Sequence, residues 1–224
     1  MIRMALTKGR IETGALKILS RAGYDVSELD EDKKGRKLLF RLGGADIEIV
    51  LAKAADVITY VERGVCDAGV VGEDTIMECG AELYELLDLN FGKCRFALAG
   101  PSDSGDPADI TAAANRFFTG YRHRVIASKY PNVTREYFKS KGMDVEIVKI
   151  EGSVELAPLL GLADAIVDIV ETGSTLKANG LEVYEDVAPI SARLIVNTAA
   201  IKMKKAEFDP LIDNIAAAVK ADNE

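Results

Sequence analysis

The chain has 224 residues, 48% of them hydrophobic and 29% charged, without a low-complexity tract. That composition excludes disorder along most of its length and allows one large domain or two small ones. A net charge of −8 argues against nonspecific binding to nucleic acid or an anionic membrane, so an anionic ligand needs cations gathered locally. No signal-like apolar stretch follows Met1 and no segment approaches a membrane span, which points to the cytoplasm.

Short apolar runs alternate with amphipathic segments, the pattern of an α/β protein with largely parallel sheets. Strands are predicted at 2–6, 37–41, 47–51, 68–71, 95–99, 125–128, 145–150, 165–169, 182–187 and 191–197. Helices fall between them at 13–22, 55–63, 74–79, 107–119, 132–141, 155–160, 175–178 and 210–220, the last with Asp209 as N-cap and Pro210 at the first helical position. A turn-rich patch at 100–107 precedes a second βαβα set. Two lobes with a ligand cleft between them are therefore expected, the first formed by 1–93 and 186–224 and the second by 94–185.

Ligands of open α/β sheets sit beyond the carboxyl ends of strands, and three glycine-bearing strand ends fall there. These are Lys8-Gly9-Arg10, Gly72-Glu73-Asp74 and Thr172-Gly173-Ser174-Thr175. In the third, glycine lets the backbone approach an anion while Thr172, Ser174 and Thr175 add hydroxyl donors, the chemistry of a phosphate socket. Asp168 and Glu171 before the glycine suit the hydroxyls of a sugar, and carboxylates flanking an apolar strand are costly unless something uses them. The competing reading is a buried strand followed by a capped turn. No P-loop and no dinucleotide-binding glycine fingerprint is present.

The cations gather early, at Lys8, Arg10, Lys33, Lys34, Arg36, Lys37 and Arg41. A run such as 33–37 is usually a solvated loop, although Arg36 abuts the apolar Leu38-Leu39-Phe40. Cys66, Cys79 and Cys94 are odd in number and widely spaced, so free, mostly buried thiols are expected rather than disulfides or zinc. The single His123 excludes a multi-histidine metal centre and reads as a solvated loop residue.

Several of these segments together resemble a known family. They are Leu6-Thr7-Lys8-Gly9-Arg10-Ile11, Gly35-Arg36-Lys37-Leu38-Leu39-Phe40, the stretch 55–64 followed by 67–74, and Glu155-Leu156-Ala157-Pro158-Leu159 leading through Asp168 to Glu171-Thr172-Gly173-Ser174-Thr175-Leu176. The resemblance is to the short form of the ATP phosphoribosyltransferases, which open histidine biosynthesis. It implies a two-lobed periplasmic-binding-protein-like (type II) fold and transfer of the phosphoribosyl group of phosphoribosyl pyrophosphate (PRPP) to N1 of ATP, with Mg2+ accompanying the pyrophosphate. It further implies a regulatory subunit similar to a histidyl-tRNA synthetase, and a homodimer when the chain is alone.

By the same resemblance Arg10 and Arg36 are the catalytic residues, meeting the charge of the leaving pyrophosphate. Glu155, Asp168, Glu171, Thr172, Gly173, Ser174 and Thr175 bind PRPP. Lys8, Lys53 and Glu73 contact ATP or pyrophosphate, with a salt bridge or helix cap as the competing reading for Glu73. A solute-binding protein or sensor lobe of the same fold is the rival, as is a tetrapyrrole-assembling deaminase with a cysteine-anchored cofactor.

Overall fold

The computed structural model describes residues 1–81, 83–102, 107–119 and 123–221. The chain forms two compact units, Met1–Gly92 together with the segment from Ser191 onward, and Lys93–Ile190. Each has its own sheet, and each sheet is mixed rather than largely parallel.

Unit 1 begins with β1 (Ile2–Thr7), an apolar run in which Met4, Ala5 and Leu6 are wholly buried. A strand buried on both faces needs cover on both, which the βαβ crossovers supply. From β1 the chain passes through α1 (Arg10–Arg21), the short α2 (Glu31–Lys34), β2 (Leu39–Arg41), β3 (Ile47–Ala52), α3 (Ala54–Glu62), β4 (Ala68–Gly72), α4 (Glu73–Cys79) and β5 (Tyr84–Asp88). β1 lies between β3 and β4, parallel to both. The rest of the sheet is antiparallel, with β2 on β3 at one side and, at the other, β11 (Ala192–Val196) between β4 and β5.

Unit 2 contains β6 (Cys94–Pro101), α5 (Pro107–Thr119), β7 (Arg124–Ser128), α6 (Pro131–Ser140), β8 (Val145–Lys149), α7 (Leu156–Leu159), β9 (Ala165–Val170), α8 (Ser174–Ala178) and β10 (Leu181–Ile190). Its strand order is β10-β6-β9-β7-β8, and β7 runs parallel to both β8 and β9. The turn-rich patch lies inside this unit, because Gly100 and Pro101 pair with Glu182 and Leu181 and carry β6 onward. Residues 103–106 of that patch fall outside the described residues.

Four elements depart from the sequence expectation. β5, with its two acids, has no clean alternation; its place is set from outside, where Arg193 on β11 meets Asp88 at 3.3 Å and Ser191 Oγ donates to Asp88 at 2.8 Å. α9 (Thr198–Met203) follows Asn197, whose side chain accepts from the N–H groups of Ala199 and Ala200, an N-cap hidden among alanines. α10 (Lys205–Ala221) starts five residues before Pro210, which sits inside the helix instead of opening it. Burial explains this: Phe208 continues the apolar face of Leu211, Ile215 and Val219 into the core that β1 shares, and that gain outweighs one missing backbone hydrogen bond. Finally, the cationic run is no solvated loop throughout, since Lys34 ends α2 with its side chain only 16% exposed.

Phe208 is 1% exposed, so Phe208→Ala is expected to destabilise the protein by about 3–5 kcal/mol, read as a lowered denaturant midpoint. Met203→Ala, at a side chain 77% exposed, is expected to leave that midpoint within about 0.5 kcal/mol of the parent.

Candidate functional site

In unit 1 the site begins where β1 stops. The Lys8 N–H donates to Ala52 O at 3.0 Å, a last bond of the parallel ladder, and Thr7 Oγ1 donates to Val70 O at 3.0 Å. Gly9 then takes φ +90°, a conformation that a side chain would strain, and turns the chain into α1 with Arg10 as its first residue. Glu12 sits one turn in. Its Oε2 accepts from the Gly9 N–H at 3.3 Å and its Oε1 accepts from Lys34 Nζ at 2.8 Å.

These turns border a cavity of about 470 Å³ whose wall includes Lys8, Glu12, Thr13, Lys34, Arg36 and Lys37. Arg36 follows the Gly35 turn at the end of α2 and is exposed. Four cations in one wall, against one buried carboxylate, suit a polyanion. Arg10 is exposed in the first turn of α1, outside this lining. Lys53, the residue before α3, is exposed and also outside it. Glu73 opens α4 but is turned to structural use: its Oε2 accepts from Arg193 at 2.7 Å and from the Ser191 N–H at 3.3 Å. The geometry thus favours the ion pair over a ligand contact for Glu73.

In unit 2 the site lies beyond β9. Burial pushes the Asp168 carboxyl above the ordinary range; the Ile169 N–H, donating to Oδ1 at 2.8 Å, opposes this, the nearby Glu155 adds to it and Lys129 opposes it. Glu155 stands half-buried just ahead of α7. Glu171 is exposed, so the desolvation cost expected of a strand carboxylate does not arise there, and its carbonyl accepts from Arg95 at 3.5 Å. Past it, Gly173 at φ +77° is the αL residue that starts α8. The Thr172 and Ser174 hydroxyls lie 3.0 Å apart, and the Ser174 N–H donates to Thr172 Oγ1 at 3.4 Å. Thr175 follows, exposed, in the first turn. The structure therefore brings four of the seven residues into one short loop and sets Glu155 near Asp168 of β9.

Two residues, Glu12 and Lys129, and the pairing of Lys34 are missed by reasoning from the sequence. Glu12 could have been found as the acid three residues after a helix-starting glycine. Lys34 is counted there among the gathered cations, but its pairing escapes because the partner is 22 residues away. Lys129, beside Asp168, is visible only once β7 and β9 are paired.

The remaining reactive groups lie apart. Burial pushes the Cys66 thiol up to about 11, while Cys79 is exposed, contrary to the expectation of mostly buried thiols. His123 is exposed, 3.7 Å from Glu146. Among the described residues no three His, Cys, Asp or Glu side chains gather as a metal-binding group, and no helix is long and apolar enough to cross a membrane.

Comparison with known proteins adds an independent line. The family model described as HisG, ATP phosphoribosyltransferase, matches residues 53–217. An ATP phosphoribosyltransferase from Clostridium kluyveri is 58% identical, over 96% of this chain and 92% of its own. One from Listeria monocytogenes is 52% identical over 98% and 96%. Among solved structures, the ATP phosphoribosyl transferase (HisG:HisZ) complex from Thermotoga maritima matches with TM-score 0.78 and 31% identity, over 99% of this chain and 100% of that one. The periplasmic aliphatic sulphonate binding protein of Escherichia coli matches at TM-score 0.57 and 12% identity, over 97% and 72%, a likeness of type II binding-protein fold alone.

A carboxyl whose pKa is raised by folding holds its proton more tightly folded than unfolded. Its contribution to stability is full below the unfolded value and is lost as pH rises through the folded one. Asp168→Asn, which keeps an acceptor for Ile169, is thus expected to raise the thermal midpoint at pH 7. The gain should shrink as pH falls through the raised folded value toward about 4 and be largely gone below that, and an unchanged or lower midpoint at pH 7 would contradict burial as the dominant influence.

Proposed function

The chain belongs to the ATP phosphoribosyltransferase family, and we infer that its reaction is carried by the residues of the two sites just described. It transfers the phosphoribosyl group of PRPP to N1 of the adenine of ATP and releases pyrophosphate, the first step of histidine biosynthesis. The observation that carries this is the 58% identity with a curated ATP phosphoribosyltransferase along 96% of the chain.

Adenine N1 already presents a lone pair, so the nucleophile needs no strong base and the exposed His123 has no part to play. What remains for the protein is positioning and charge. As the anomeric C–O bond breaks, negative charge builds on the departing pyrophosphate and the ribose becomes cation-like. Arg36 is the residue suited to the first: a guanidinium grips phosphate oxygens in pairs and keeps its proton. Lys8, Lys34 and Lys37 share its cavity wall and add to the field there. Arg10 acts from the first turn of α1, and Lys53 from the start of α3.

In unit 2, Thr172, Ser174 and Thr175 offer hydroxyls, and the backbone around Gly173 offers N–H groups, to the 5-phosphate of the ribose. Glu171 stands before that loop, while Asp168 and Glu155 accept from the ribose hydroxyls. Mg2+ belongs with the pyrophosphate: a wall of three lysines and one arginine is not a divalent-metal ligand set, so the ion enters as part of the substrate and would supply charge neutralisation there.

The Thermotoga maritima structure is by its name a complex of HisG with HisZ, and this chain covers all of that HisG-like chain. We extend this to a regulatory subunit related to histidyl-tRNA synthetase that assembles with the present chain. The use of ATP and PRPP by this chain supports the cytoplasm as its place of work.

The direct test is ultraviolet absorbance during incubation with ATP, PRPP and magnesium, with an inorganic pyrophosphatase to draw the reaction forward. Formation of an N1-ribosylated adenine nucleotide is expected. Its absence, with the regulatory subunit present and both substrates shown to bind, would overturn the reading. In the same assay Arg36→Ala is expected to lower kcat about a hundredfold or more. Thr175→Ala is expected to raise KM for PRPP about tenfold, as a lost hydrogen bond to a charged group does, and to leave KM for ATP unchanged.

A further inference from the structure

Glu12 is an acid in a place where an acid should hurt. It is 4% exposed and, among the described residues, is the one acid in a cavity wall that carries Lys8, Lys34, Arg36 and Lys37, into which we have placed an anion. A carboxylate touching that anion would repel it. Burial of a charge pair is no general gain in stability either, since an apolar side chain of similar size serves packing as well or better. The contacts of Glu12 suggest another use.

Its two oxygens are divided between two turns. Oε2 holds the Gly9 N–H at 3.3 Å and thereby the Lys8-Gly9-Arg10 turn. Oε1 holds Lys34 Nζ at 2.8 Å, at the last residue of α2 and two residues before Arg36. The two turns are far apart in sequence, and each carries cations that repel those of the other. We propose that Glu12 is a positioning residue for the reaction, a buried carboxylate that clamps the Lys8-Gly9-Arg10 turn to the Lys34-Gly35-Arg36 turn and so fixes the spacing of their cations for a diphosphate. This rests on the reading that Arg36 meets the leaving pyrophosphate.

The clamp works through geometry and charge together. With Glu12 ionised, Lys34 is held by a carboxylate whose other oxygen is anchored to the backbone of the neighbouring turn. Glu12→Gln retains an acceptor for Gly9 and loses the attraction to Lys34. The Lys34 side chain is then held less firmly to the first turn, and a misplacement on the ångström scale at reacting groups costs about a hundredfold in rate.

The experiment uses the full chain with its regulatory subunit and compares the parent, Glu12→Gln, Arg36→Ala and the double variant. Steady-state kinetics, calorimetric titration with inorganic pyrophosphate and the thermal midpoint are measured on each. Glu12→Gln is expected to lower kcat about a hundredfold and pyrophosphate affinity about tenfold at temperatures well below its midpoint. In the Arg36→Ala background the same change should have little further effect, because partners acting through one another are not additive. Full additivity would overturn the clamp, and so would parental kcat and pyrophosphate affinity in Glu12→Gln whatever its midpoint. If Arg36→Ala itself keeps parental kcat and pyrophosphate affinity, the reading of the cavity fails first, and the proposal with it. Should Glu12→Gln not fold, Glu12→Asp keeps the charge but is one methylene too short to reach both turns, and a parental kcat there overturns the proposal equally.

Discussion

A strand buried on both faces must end, and at its end the hydrogen-bonding ladder runs out. The last peptide groups of β1 and β9 are then left facing water or whatever can replace it, on a platform too tightly packed to move. Both sites follow from this. Lys8 makes one of the last ladder bonds of β1, to Ala52, and one residue later the backbone has turned away. At the far end of β9 the chain passes from wholly buried Val167 to exposed Thr172 within five residues. Glycine is required at each departure because the turn demands positive φ, at Gly9 and at Gly173. The polar chemistry is thus attached to the ends of the buried strands of either unit, which is where precise spacing of charges can be maintained.

The charge arrangement works against the average of the molecule. A chain of net charge −8 should repel ATP and PRPP, yet one cavity wall gathers Lys8, Lys34, Arg36 and Lys37. Part of the acidic excess is put to structural use. Arg193 is surrounded by Glu73, Glu85 and Asp88. Lys204 Nζ lies within 2.8 Å of both oxygens of Asp67, and Asp67 in turn accepts from the Arg3 N–H. Such interlocked groups tie late segments of the chain to early ones, so acids that would oppose an anionic ligand serve instead to hold the sheet of unit 1 together.

Much of this is legible in the order of the amino acids. The β-branched run of β9 and the glycine among hydroxyls after it announce both the strand and the turn that follows, since periodicity and turn chemistry are local properties of the sequence. The features that escape such reasoning are decided at a distance. β5 is held by Arg193, more than a hundred residues later in the chain. Pro210 is a reliable helix-start signal that loses to the burial of Phe208. Lys34 reads as one of several solvated lysines because nothing nearby in sequence shows that Glu12 lies beneath it. For Glu73 the local pattern leaves two readings nearly balanced, and an arginine on β11 tips them.

The route of the chain also imposes an order on the protein's formation. β11 supplies the link between β4 and β5, and α10 supplies Phe208, Leu211 and Ile215 to the core around β1. All of these leave the ribosome after every strand of unit 2 has been made. During synthesis, therefore, the second unit overtakes the half-built first: residues 93–190 can close their own sheet while the earlier-made β1, β3 and β4 wait with part of their apolar surface uncovered. The nascent chain is most exposed to mispairing in that interval, and the Gly173 loop of unit 2 exists before the turn that carries Arg36 has a finished core beneath it.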